Sequence, residues 1–156
     1  MKILIFTEGT ILMHKNAAGH NREEIVQQIR DEDESVGDYS SYVPIGRAVE
    51  KIRQWQLAGH QIGYLTSRRK PEQIESIRQV LKKYDFPDGE IYYREGDESY
   101  ADVAGRVMPD VLVEDDCESV CGEFDMTYPQ IDPEKKKQIK SIPVKEFGGI
   151  DEVEIK

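Results

Sequence analysis

Three carboxylates, Glu8, Asp115 and Asp116, stand directly after or at the end of short apolar runs, where a strand would stop and a binding loop would begin. Between them in sequence, Thr66-Ser67 follows a second run and Arg94 follows a third. The order is acid, hydroxyl, base, acid pair. Carboxylate oxygens suit a hard cation or a proton transfer, whereas hydroxyls and a guanidinium hold an anion. Such a set suits a small anionic molecule met by a divalent ion. Glu114-Asp115-Asp116 places three carboxylates side by side, which repel unless solvated or neutralised. Either they form an exposed loop in which Asp116 caps a helix, or they hold a cation.

The elements that would position these residues follow a βαβ rhythm. Residues 3–6 are a continuous apolar run, the pattern of a parallel strand covered on both faces, and it ends at Thr7-Glu8-Gly9-Thr10. Asn21 with Glu24 predicts a capped helix through about residue 31, followed by an acidic, exposed loop to residue 43. Pro44 then opens a helix with Ile45, Val49, Ile52 and Trp55 on one face, stopped at Gly59. Gln61–Leu65 reads as the second strand, and Pro71 starts a helix carrying Ile74, Ile77, Val80 and Leu81. Residues 90–93 form a third strand, Tyr100–Val107 a helix, and residues 111–113 a fourth strand ending on the acids. A Lys-rich helix at 134–139 and a closing strand at 142–145 complete the chain. In open α/β sheets ligands collect beyond the carboxyl ends of the strands, so residues following each strand are the first site candidates.

With 156 residues, 31 acidic against 21 basic, the chain fits one domain of net charge −10. A domain of that size buries roughly two-thirds of its unfolded surface. The negative charge disfavours nucleic acid and anionic membrane, while a metal or local base can still reverse the field inside one pocket. Thr7, Glu8 and Gly9 interrupt the first apolar run far short of a spanning length, which predicts a buried strand and a cytoplasmic protein. Cys117 and Cys121 are four residues apart and would share a face if helical; two cysteines make no disulfide framework.

A strand ending in Glu-Gly-Thr, another in Leu-Thr-Ser, a basic residue, then Val-Leu-Val-Glu-Asp-Asp resembles the haloacid-dehalogenase-like hydrolase superfamily over about residues 2–119. The resemblance implies a three-layer, Rossmann-like α/β domain with a mostly parallel sheet over residues 1–156. It implies a minimal cap or lid within residues 11–43. It places Glu8 at the acid/base, Thr10, Thr66, Ser67 and Arg94 around a phosphoryl group, and Asp115 and Asp116 on Mg²⁺. Lys70 and Arg106 compete with Arg94 for the basic position. At the nucleophile stands Phe6, which can neither attack phosphorus nor ligate Mg²⁺. Glu8 itself replaces the shorter aspartate usual there.

Each feature also has a plain structural reading: a turn glycine after a strand, a hydroxyl turn before the Pro71 helix, a solvated Arg68-Arg69-Lys70 helix entry, core cysteines. His14 and His20 could join Glu8 and Asp115 around a transition metal, but their spacing matches no specific motif. Two functions follow from the resemblance. One is metal-dependent phosphoester hydrolysis without an aspartyl nucleophile. The other is a catalytically inactive binding or regulatory module. A phospho-receiver is disfavoured, because its acid pair comes from the first strand and here the pair follows the fourth.

Overall fold

The computed structural model describes residues 1–119 and 122–155, the Glu123 side chain excepted. The strands are β1 (Lys2–Phe6), β2 (Leu12–Met13), β3 (Val43–Pro44), β4 (Gln61–Leu65), β5 (Glu90–Tyr92), β6 (Val111–Asp115) and β7 (Lys140–Val144). The α-helices are α1 (Arg22–Arg30), α2 (Ala48–Leu57), α3 (Pro71–Lys83), α4 (Tyr100–Val107) and α5 (Pro133–Lys136). Five strands form one sheet in the order β5-β4-β1-β6-β7, every pair parallel. β2 and β3 form a separate antiparallel pair.

The apolar run of β1 is explained by burial on both faces. Ile3 and Ile5 join Ile62, Tyr64, Val111 and Val113 beneath Ile52 and Trp55 of α2 and Ile77 and Val80 of α3. Leu4 and Phe6 point the other way, to Leu65 and Leu112 beneath Val103 and Ala104 of α4, with Ile131 and Ile139. The result is three layers. Each fully buried aliphatic side chain contributes about 1.5–3 kcal/mol, so both faces of this central strand hold the layers together.

From β1 the sheet grows outward through β4 and β5, then α4 leads back across it so that β6 and β7 extend the opposite side. The order reverses at β1, which opens a crevice between the loops after β1, β4 and β6. Residues 14–42 lie between β2 and β3. They contain α1, capped by reciprocal Asn21–Glu24 hydrogen bonds, and three 3-10 turns at Lys15–Ala17, Glu34–Val36 and Tyr39–Ser41.

Two local expectations change. Pro44 does not open a helix: it pairs with Leu12, Gly46 turns with φ 54°, and α2 starts only at Ala48. The helical spacing from Ile45 reflects shared burial of Ile45 and Ile52 by different elements. Residues 31–43 are not an exposed acidic loop, because Ser35 and Tyr42 are buried and Tyr39 packs on the core. Cys117 has φ 55°, and the shared-face reading of Cys117 and Cys121 lies outside the described residues, because Cys121 does. No helix among the described residues is long and apolar enough to cross a membrane.

Gly89 sits where a Cβ would lie 2.4 Å from the Ile62 carbonyl oxygen, a backbone atom of β4 that cannot yield. Gly89→Ala is expected to destabilise the protein by about 1–3 kcal/mol, the range for overpacking, read as a lower urea midpoint with an unchanged slope.

Candidate functional site

The turn after β1 touches both neighbouring strands. Thr7 continues the ladder, its N–H donating to the Leu65 carbonyl at 3.0 Å. Gly9 has φ 85°, and a Cβ there would stand 3.1 Å from Asp115 Oδ1. A side chain at position 9 would therefore be strained in backbone and crowded by a carboxylate. Thr10, fully buried, donates its hydroxyl to Asp115 Oδ1 at 2.8 Å and accepts the Asp115 N–H at 3.1 Å.

Glu8 reaches in the opposite direction. Its carboxylate accepts the Thr66 hydroxyl at 2.7 and 3.0 Å, and both the N–H and the hydroxyl of Ser67 at 2.8 and 2.7 Å. The Thr7 hydroxyl donates to it as well. Arg68 Nε stands 3.7 Å away, and its guanidinium stacks 4.5 Å from the Tyr39 ring and binds the Tyr39 hydroxyl. The first and second strand-end signals thus meet on one another.

The acid triplet divides by strand alternation. Glu114, buried, accepts the N–H groups of Thr127 and Tyr128 at 2.8 and 2.9 Å and so pins the chain before the turn at Tyr128–Gln130. Asp115 binds Thr10 and accepts the Cys117 N–H at 3.1 Å. Asp116 accepts two hydrogen bonds from the Arg22 guanidinium, at 3.0 and 3.1 Å, and the N–H groups of Glu146 and Glu118 at 3.1 and 3.3 Å. Arg22, at the start of α1, also pairs with Glu118. Burial pushes the carboxyls of Glu114, Asp115 and Glu146 above their ordinary range, partly opposed by hydrogen bonds at each. Burial also raises the Cys117 thiol, which is therefore held in its protonated form.

Oxygens of Asp115, Asp116 and Glu146 lie within 4.8 Å of one another. Their donor chemistry fits a hard divalent cation such as Mg²⁺. Glu146 is the member that the sequence reading missed. The strand-end rule applied to β7 would have found it, since it stands two residues past Val144. His14 is buried with Nε2 2.7 Å from Gln28, and His20 is exposed beside Glu24; neither joins the carboxylate group.

These groups surround a cavity of about 400 Å³. Phe6 and Tyr100, in edge contact with ring centroids 5.0 Å apart, form an apolar wall, and Met13 of β2 with Ile29 and Val36 of the insertion also line the cavity. Arg68 and Arg94 also line it. Arg94 stacks 4.2 Å from the Tyr100 ring and donates to the Ser67 carbonyl at 3.3 Å. Its Nε is buried without a hydrogen-bond partner, and no carboxylate pairs with it among the described residues. Lys70 is exposed at the start of α3, and exposed Arg106 pairs with Glu98, so of the three competing bases Arg94 is the one at the cavity. Arg68, read from sequence as a solvated helix entry, is there too. Thr66 and Thr10 are buried and face Glu8 and Asp115 respectively.

No protein-family model matches the sequence, and no curated protein matches it. Solved structures do. One chain of a Pnkp1/Rnl/Hen1 complex superposes with TM-score 0.56 at 11% identity, over 93% of this chain and 46% of that one. This chain thus spans about half of its length. The class C acid phosphatase from Bacillus anthracis, with tungstate bound, gives TM-score 0.57 at 11% identity, over 95% of this chain and 68% of that one. The shared feature is the fold, a three-layer, Rossmann-like α/β domain around a parallel sheet. A HAD family hydrolase from Deinococcus radiodurans R1 with bound phosphate and sodium gives TM-score 0.42 at 12% identity, over 73% and 72% of the two chains. The likeness in fold rests on the first two superpositions; identities this low carry architecture, not reaction.

Glu114 supplies a pH prediction. Its folded-state pKa is raised by burial, so the folded state binds the proton more tightly than the unfolded chain. Its contribution is therefore greatest below the ordinary glutamate value and is lost as pH rises through the raised one. Glu114→Gln should remove that dependence: in paired thermal melts, wild type gains on the variant as pH falls through this window. A constant difference between the two melts would refute it.

Proposed function

We propose that this haloacid-dehalogenase-like domain binds a small anionic organic molecule in the strand-end cavity, with Arg94 as the anchor for its negative group. It does so without aspartyl-phosphate chemistry. The observation that carries this reading is Phe6: the residue ending β1 is an aromatic ring packed on Tyr100, with no oxygen to offer phosphorus or a cation. Arg94 supports it, as a guanidinium at the cavity whose buried Nε has no hydrogen-bond partner among the described residues. A guanidinium without a counter-ion favours a carboxylate or phosphate oxygen, and such charge-assisted bonds are about twice as strong as neutral ones. Thr66 and Ser67 act in this reading by holding Glu8, and Thr10 by holding Asp115. Residues 11–43 serve as a small lid, contributing Met13, Ile29 and Val36 to the wall of the cavity that Phe6 also lines.

A second reading, metal-assisted phosphoester hydrolysis, is favoured by the grouping of Asp115, Asp116 and Glu146. These three would hold a Mg²⁺ ion, which when bound supplies Lewis-acid stabilisation of charge on a phosphoryl oxygen. Glu8 would be its proton carrier, yet every hydrogen bond of the Glu8 carboxylate among the described residues ties it to the loop after β4 or to Thr7.

Calorimetric titration against a panel of organic carboxylates and phosphate monoesters separates the two. The expected result is saturable binding that weakens about tenfold or more in Arg94→Gln, with no phosphate released in Mg²⁺. Mg²⁺-dependent turnover that disappears in Asp116→Asn would reject the binding-module reading in favour of the second.

A further inference from the structure

The partners of Glu8 are those that would hold a free oxyanion: the Thr66 hydroxyl, the backbone N–H and hydroxyl of Ser67, and the Arg68 guanidinium. Four donors converge from the loop after β4 on one point, and a carboxylate of the same chain stands there. The Glu8 side chain is 12% exposed, so the position is largely closed to solvent as well. We propose that Glu8 is the resident anion of this cradle and thereby a specificity-determining residue, which excludes phosphate and other free oxyanions from the loop after β4.

Three physical arguments support the assignment. The two hydroxyls and the N–H are committed to the Glu8 oxygens at 2.7–3.0 Å, so none of these three groups can meet an incoming anion without breaking one of these bonds. Glu8 is tethered one residue from Thr7, itself fixed to Leu65, so its carboxylate competes as an intramolecular ligand at high effective concentration. A free phosphate dianion approaching the cradle would also meet the Glu8 charge. The longer glutamate side chain matters here, because it lets one carboxylate reach from the β1 turn to both Thr66 and Ser67. A ligand's negative group is consequently directed to Arg94. That last consequence rests on the proposed binding function; the occupancy of the cradle does not.

The test uses inorganic phosphate and acetate as probes, with calorimetry and thermal melting on wild type, Glu8→Ala and Glu8→Ala/Thr66→Val. Glu8→Ala should melt below wild type, recover on adding either anion, and bind phosphate at least about tenfold more tightly than wild type. The gain should vanish in the double variant and survive when Arg94→Gln is combined with Glu8→Ala. Phosphate binding by Glu8→Ala no tighter than wild type, or a gain that persists without the Thr66 hydroxyl, overturns the proposal. If Glu8→Ala does not fold in chloride buffer, refolding in phosphate decides: recovery supports the resident-anion assignment, and failure in both buffers overturns it. Loss of organic-ligand binding in Arg94→Gln alone bears only on the cavity's function, so the two ideas fail separately.

Discussion

β1 is held by parallel ladders on both sides, to β4 through all five of its residues and to β6 through Ile3, Leu4 and Ile5. Its backbone donors and acceptors are committed in both directions, so the turn that follows begins at a fixed point and orientation. Within four residues that turn engages Leu65 through Thr7, the loop after β4 through Glu8, and Asp115 through Thr10. The geometry of the cavity is therefore set by the middle of the sheet. Phe147 adds a third attachment, its N–H donating to the Gly9 carbonyl at 2.8 Å, which ties the chain after β7 to the same turn.

Strand alternation governs the charges as well as the core. Neighbours along β6 point to opposite faces, so three consecutive acids meet three different environments. Glu114 takes backbone N–H groups, Asp115 takes a hydroxyl, and Asp116 beyond the strand takes a guanidinium. Dispersal relieves much of the repulsion that their sequence adjacency implies. What repulsion remains, between Asp115, Asp116 and Glu146, is countered by Arg22 from outside the sheet. The cavity accordingly has an acidic side near β6 and β7 and a basic side near β4 and β5.

The architecture was legible because β-rich apolar runs and helical periodicity record burial directly. Ile3 to Phe6, Gln61 to Leu65 and the Pro71 helix needed no tertiary information. Pro44 misled because its preference for a helix start is also satisfied in a short edge pairing, and pairing with Leu12 is a contact 32 residues away in sequence. Residues 31–43 misled because acidic composition hid Tyr39 and Tyr42, whose rings pack on each other 5.6 Å apart. For the site, sequence located the strand ends but not the directions of the side chains. That Glu8 turns toward β4 while Thr10 turns toward β6 depends on the Gly9 turn. Arg68 differs from its exposed neighbours Arg69 and Lys70 only by a one-residue difference in orientation, and Arg22 reaches Asp116 across 94 positions. Neither fact has a local signature.

The two-residue ladder between β2 and β3 brings the ends of residues 14–42 together before the insertion departs from the sheet. An insertion closed at its base in this way can change length at small entropic cost, each doubling adding only about 0.6 kcal/mol, while the five-stranded sheet keeps its register. Yet this segment supplies Arg22 to the acidic side and Ile29 and Val36 to the cavity rim. The rim of the cavity is therefore carried on a different stretch of chain from the strand-end groups Glu8 and Arg94: a redesigned excursion that keeps Tyr39 and Tyr42 on the core would reshape the entrance while leaving the sheet and the anion-holding groups in place.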